Sequence, residues 1–287
     1  MLGVAGKDFR DATRSRMMWV LTTVFTLLSV LGVSLFALLD VEQATTADAL
    51  STLTLPSILL VPLAAIVVGY MSIVGERESG SLKLLLGFPV TRQAFVLGKL
   101  IGRVAVVSLA VVIAFTVSGV VAFGLYGDVP LVAYVAFALA TVGLGIAFTG
   151  LAVGISASFR SRGRALAAAV SAYFILVMFW HPLLAGVHYM ITGTIPGIEV
   201  PAWYLFLERV SPTDSYLILV SAALDVNVGS GLFRIRPVEA ASMSIADQLG
   251  TSTVPFYLND WIAGAIISVW VFVPSILGYL RFQRSDL

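Results

Sequence analysis

A chain of 287 residues in which 59% of side chains are hydrophobic and only 11% charged, with a mean hydropathy of +0.99, cannot clothe a water-exposed surface, where a charged share of about 25% is usual. These figures exclude a disordered chain, a nucleic-acid-binding domain and an ordinary cytosolic enzyme. They leave an all-α polytopic membrane protein, for which lipid is the solvent over most of the surface. With no cysteine and two histidines, disulfides and thiolate sites are excluded and a multi-histidine metal site within one chain is not expected.

In chain order, residues 1–16 read as an amphipathic interfacial helix, with Leu2, Ala5, Phe9 and Ala12 on one face and Lys7, Arg10, Asp11 and Arg14 on the other. Such a helix serves either as an anchor that sets topology or as a lever beside a partner on the inner membrane surface. The first charge-free run, 17–39, is long enough to span, since about 20 apolar residues cross a bilayer. It is too long for a cleaved signal peptide, and Asp40-Val41-Glu42 follows in place of a small-residue cleavage site. Thr22, Thr26 and Ser29 form a hydroxyl stripe along it, suited to protein or water rather than lipid, and are candidate pathway residues. A second span is predicted over 53–74.

The stretch that follows, Gly75-Glu-Arg-Glu-Ser-Gly-Ser-Leu-Lys-Leu-Leu-Leu-Gly-Phe-Pro-Val-Thr-Arg92, mixes dense charge with an apolar run too short to span. It predicts a short helix over 78–86 lying on the inner surface and stopped by Pro89. Thr91 then caps a long helix that rises through Lys99 and Arg103 into a third span, 104–126. A simple loop does not need this pattern; a docking surface for a partner does. The glycine spacing approaches that of a phosphate loop, but no lysine follows the second glycine and no strand precedes the first, so ATP hydrolysis by this chain is not expected.

A fourth span begins after Pro130 and ends near Ile155; on it Gly143, Ala147, Gly150 and Gly154 share a face that suits close helix packing. A short basic inner turn, 156–164, leads to a fifth span over 165–190. His181 is the only ionisable side chain well inside a span, next to a kink expected at Pro182, and is a candidate functional group or a histidine bonded to a neighbouring helix. In the outer segment 191–260, Trp203, Tyr204 and Phe206 suggest an interfacial helix. Ser211-Pro212-Thr213-Asp214 reads as an N-cap, a first-position proline and an early acid starting a second helix through Leu224. No element is predicted over 225–260. The sixth span is 261–280. The whole of 1–287 reads as a single transmembrane domain.

Placing the N-terminus inside puts fourteen of the seventeen basic residues on inner segments and eleven of the sixteen acids on outer ones. By the positive-inside rule both termini are then cytoplasmic.

Glu76-Arg-Glu-Ser-Gly-Ser-Leu-Lys-Leu-Leu-Leu-Gly-Phe-Pro-Val-Thr-Arg92, followed by Gly98-Lys99, resembles the signature of ABC transporter permeases of the type 2, exporter class. Lys7-Asp8-Phe9, Arg14-Ser15-Arg16 and the Ser211–Asp214 element are similar to that family as well, and the nearest subgroup resembles the permease of the nitrous-oxide-reductase maturation transporter and its haloarchaeal relatives. The resemblance implies a homodimer in the cell membrane, coupled to two copies of a separate ATPase subunit that binds ATP and magnesium, with no cofactor in this chain. It implies that 76–88 is a coupling helix seated in the ATPase, which assigns coupling to Glu76, Arg77, Glu78, Gly80, Leu82, Leu85, Pro89, Arg92 and Lys99. An extracytoplasmic accessory protein is a further candidate partner; no nucleic acid is expected. Charge-free spans suit an apolar or amphiphilic substrate, whereas the subgroup implies a sulfur or copper species.

Three other readings compete. An ion-coupled secondary transporter would have to work without any carboxylate or lysine in its spans. A membrane scaffold could move with an ATPase and transport nothing. An intramembrane enzyme would need a nucleophile–base set or metal ligands that two histidines do not supply.

Overall fold

A computed structural model describes residues 2–41, 45–80, 91–229 and 231–284. Among the described residues the chain is all-helical, as its composition demands: in lipid, a helix satisfies its own backbone polar groups. Helix α1 (Leu2–Thr13) lies at the end of the bundle that the charge bias expects to be cytoplasmic, called the inner end from here on, and turns at Ser15 into α2 (Arg16–Leu38). The elbow is pinned by Trp19, whose indole Nε1 donates to the Thr13 carbonyl at 2.7 Å. After the short α3 (Thr46–Ser51), capped by the reciprocal Thr45–Asp48 box, the chain returns inward through α4 (Thr54–Gly69) and ends in α5 (Val74–Glu78). Helix α6 (Arg92–Tyr126) runs to the opposite, outer end of the bundle, α7 (Leu131–Ser158) runs back, and α13 (Trp261–Gln283) makes the last pass to the inner end.

Five helical stretches are long and apolar enough to cross a membrane, and a sixth is reached if the bent pair Arg162–Met178 and Trp180–Thr192 counts as one span. This pair consists of α8 (Arg162–Tyr173), a π-helical turn (Phe174–Met178) and α9 (Trp180–Thr192), bent by 71°. The bend falls at Phe179, ahead of the kink expected at Pro182. Pro182 instead sits in the first turn of α9, where a missing N–H costs nothing. The opened turn leaves the Leu176 carbonyl free, and Ser211 Oγ (3.2 Å) and Thr213 Oγ1 (3.1 Å) donate to it. Those two hydroxyls belong to the start of α11 (Pro212–Leu224), where Ser211 is the N-cap as predicted. Thus the cap that begins the outer helix also stabilises the break in the fifth apolar stretch.

The core forms where α7 meets α4, α6, α11 and α13. The predicted small-residue face of α7 proves to be a packing face. A Cβ on Gly150 would lie 2.7 Å from the Val271 carbonyl, one on Gly154 would overlap the Pro274 carbonyl, and one on Gly278 would meet the Gly154 backbone at 2.5 Å. The two helices therefore touch backbone to backbone. Phe115, Phe137, Tyr134 and Tyr216 fill the outer half, with Phe115 and Phe137 edge to face at 5.0 Å. Beyond the bend, α10 (Ala202–Val210) and α12 (Ile245–Leu249) give the outer segment its own small core around Tyr204 and Leu258.

Candidate functional site

At the inner face, α1 lies along α6. An acid at position 8 breaks the apolar pattern of α1, yet Asp8 is 2% exposed, close against Gly102. Lys99 Nζ donates to Asp8 Oδ1 at 2.8 Å and also pairs with Glu76, while Arg103 Nε lies 2.7 Å from Asp8 Oδ2. The inner ends of α1, α5 and α6 are therefore tied by one buried ion network. Ser156 Oγ accepts from the Ile73 and Val74 amides, both at 3.0 Å, joining this block to α7. Arg77 donates to the Phe159 carbonyl at 2.9 Å and lies over the Phe282 ring, on which Arg92 also stands. Glu78 pairs with Arg162 at 3.0 Å, so α5 holds the basic inner turn as well.

Of the residues assigned to coupling, the structure thus brings Glu76, Arg77, Glu78, Arg92 and Lys99 together at one end of the bundle. The expected helix over 78–86 does not begin at Glu78. Glu78 instead closes α5, and Gly80, at φ +76, turns the chain in a conformation that favours glycine. Leu82, Leu85 and Pro89 lie outside the described residues. Lys99 is turned inward and engaged by Asp8 and Glu76, so it positions the inner block rather than presenting a free cation. Asp8, Arg103 and Phe282 were not singled out by sequence. Only the misplaced acid on the apolar face of α1 signalled the first of them.

The candidate pathway hydroxyls turn into the chain's own interior. Thr22 and Ser29 are buried, and Thr22 and Thr26 donate to carbonyls one turn back, Met18 and Thr22, at 2.9 and 2.8 Å. The gap that Thr22 borders, between α2, α4 and α6, holds about 20 Å³. It is closed to anything larger than a single water.

His181 stands at the centre of an outer cluster. Its Nε2 is 2.9 Å from Asp214 Oδ1 and its Nδ1 3.4 Å from Glu208 Oε1. Glu208 also receives Arg234 at 3.2 Å and Arg236 at 3.4 Å, and Arg236 donates onward to Gln248 and to the Gly197 and Ile198 carbonyls. Burial pushes the Glu208 carboxyl up, but His181, Arg234 and Arg236 outweigh it and hold the group below the usual carboxylate range. The segment carrying the arginines crosses the bend as a strap. Gly231 passes so close that a Cβ would overlap His181 Nε2, and the Phe233 ring stacks on Phe179, 6.5 Å between centroids. Phe233 sits at φ +54, a conformation costly for a bulky residue and retained only where surrounding contacts enforce it. Beside the cluster opens a cavity of about 630 Å³ with a mixed lining, in which Glu208, Asp214, Asp225, Arg234 and Asp260 stand beside Leu205, Leu217 and Ile218. Among the described residues no group of three or more histidines and acids is arranged to hold a metal. Here His181 faces two acids and is not a lone intramembrane group; sequence marked the histidine but not its partners.

The probable ABC transporter permease protein NosY of Pseudomonas aeruginosa is 29% identical over 253 residues, 85% of this chain and 90% of its own. The protein of the same description from Stutzerimonas stutzeri is 26% identical over 287 residues, 98% of this chain and 97% of its own. Residues 2–287 match the family described as ABC-2 family transporter protein, and the chain belongs to that family.

Proposed function

We propose that the chain is the membrane permease subunit of an ATP-driven transporter, working as a homodimer with six crossings, both termini in the cytoplasm and one ATPase subunit below each copy. The observation that carries this is the inner block: α1, α5 and the base of α6 share one ion network, and the stretch 76–88, which resembles a coupling helix, starts within it at Glu76. In this reading ATP binding closes the ATPases, and the push on 76–92 reaches α1 and α6 together because Lys99 is bonded to both Asp8 and Glu76. The pathway then lies between two copies along α2, α4 and the bent fifth stretch, since within one chain the gap beside Thr22 is closed. Nucleotide and magnesium belong to the ATPase.

Charge-free crossings support export of an apolar or amphiphilic substrate. A second reading, a metalloenzyme-maturation transporter moving a small sulfur or copper species, draws support from the similarity to the NosY permeases. The coupling reading is tested by replacing Leu82 and Leu85 with Asp. The variant is expected to insert normally and lose co-purification of the ATPase; undiminished co-purification overturns the assignment.

A further inference from the structure

A groove at the inner end of α7 and α13 lies beside the coupling block, since Arg77 donates to the carbonyl of its lining residue Phe159 and Arg92 to those of Phe282 and Gln283, and it shares no lining residue with the outer cluster. It runs past the contact of Gly154 with Gly278 and is walled by Leu151, Ile155 and Phe159 on one side and Leu277 and Leu280 on the other. Its volume is about 500 Å³. Leu277 and Leu280 are 57% and 42% exposed, so the wall is apolar and open to the side. At its inner rim stand Arg281 and Arg284, both exposed and without an ion-pair partner among the described residues. Arg77 and Arg92 are engaged with carbonyls and the Phe282 ring and Arg162 with Glu78, whereas Lys7, Arg10, Arg14 and Arg160 also have no ion pair among the described residues; Arg281 and Arg284 are the two basic residues that border this groove. Ser158, also on the wall, spends its hydroxyl on the Gly154 carbonyl.

We infer that this groove is a binding site for an anionic phospholipid of the inner leaflet. Arg281 and Arg284 hold the phosphate, and an acyl chain lies along Leu277, Leu280 and Ile155. The occupant follows from complementarity along the groove: the hydrocarbon wall fits a chain, and two unpaired guanidinium groups at the depth of the inner membrane surface fit a phosphate, which arginine grips with two parallel hydrogen bonds. A soluble anion would leave the apolar wall wet, and a zwitterionic lipid, whose ammonium cancels its phosphate, would offset neither arginine charge where an anionic lipid offsets one. The inference rests on the proposed orientation, with the ends of α7 and α13 inside, and not on what the permease carries. Because Gly150, Gly154 and Gly278 fix the crossing, the lipid would sit beside a rigid joint and not in the pathway.

The test uses the full-length chain with its ATPase, purified in detergent. Retained lipid is measured by native mass spectrometry after adding dioleoylphosphatidylglycerol, dioleoylphosphatidylcholine or inorganic phosphate. Phosphatidylglycerol is expected to be retained over phosphatidylcholine, and excess inorganic phosphate is expected not to displace it. Replacing both Arg281 and Arg284 with Gln should lower phosphatidylglycerol retention roughly fivefold per arginine. Arg14→Gln, on the opposite face of the inner end, should leave it unchanged. Equal retention of the two lipids, an unaffected double variant, or displacement by phosphate alone would overturn the inference. So would a double variant that keeps its lipid but loses its ATPase, since the arginines would then be a protein contact.

Discussion

Two buried acids, Asp8 and Glu208, organise the two ends of the molecule. Glu208 receives Arg234 and Arg236, faces His181, and lies near Asp214 and the Tyr204 ring. Its carboxyl is held below the usual range, so its contribution to stability is fully present above the unfolded value of about 4.3 and is lost as pH falls through the lower folded value. The thermal midpoint of the purified chain should therefore hold down to about pH 4.3 and fall below it. Glu208→Gln should cost about 2 kcal/mol near neutrality, because it leaves Arg234 without a carboxylate and removes the charge that faces Arg236 and His181, and should flatten the acid limb of the profile. An unchanged acid limb would remove Glu208 from the account. Sequence marks His181 because an ionisable group in an apolar run stands out. It cannot mark Asp214 or Glu208 as its partners, because acids in a polar outer segment look ordinary and the pairing is made only by the fold.

The helix ends were legible because capping is local chemistry. Thr91 accepts from the Ala94 amide at 3.1 Å and Ser211 from Thr213 at 3.2 Å, at the starts predicted for them. The π-helical turn at Phe174–Met178 was not legible. It depends on hydroxyls of another helix accepting the burden of a free carbonyl, and Pro182 drew attention to the wrong turn. For α1, amphipathicity gave the element but not its attachment, since Asp8 makes sense only opposite Lys99 and Arg103. That attachment has a measurable strength. Asp8→Asn leaves Arg103 without a carboxylate partner and Lys99 with Glu76 alone, and should destabilise α1 docking on the order of 3 kcal/mol. Limited trypsin cleavage after Arg10 and Arg14 should quicken in this variant while cleavage in the outer segment stays constant. Cleavage at the wild-type rate would show that the apolar face alone holds α1.

Over the whole molecule, composition and the uneven spread of charge pointed to an all-helical membrane protein, and the residues of one inner stretch pointed to its family, to which the chain belongs. Lipid as solvent leaves few ways to satisfy a backbone, so the class of fold is readable from hydropathy. Which helices touch is set by small residues and by rare buried charges, whose partners lie far away in sequence. The central claim is that this chain is a gate moved by nucleotide hydrolysis on another polypeptide. The most direct measurement is ATP hydrolysis in lipid nanodiscs by the purified chain alone, by its ATPase alone and by the two together. The account predicts none from the chain alone and a rate from the complex that the Leu82→Asp/Leu85→Asp variant does not support. Hydrolysis by the chain alone, or an ATPase rate indifferent to that variant, would contradict it.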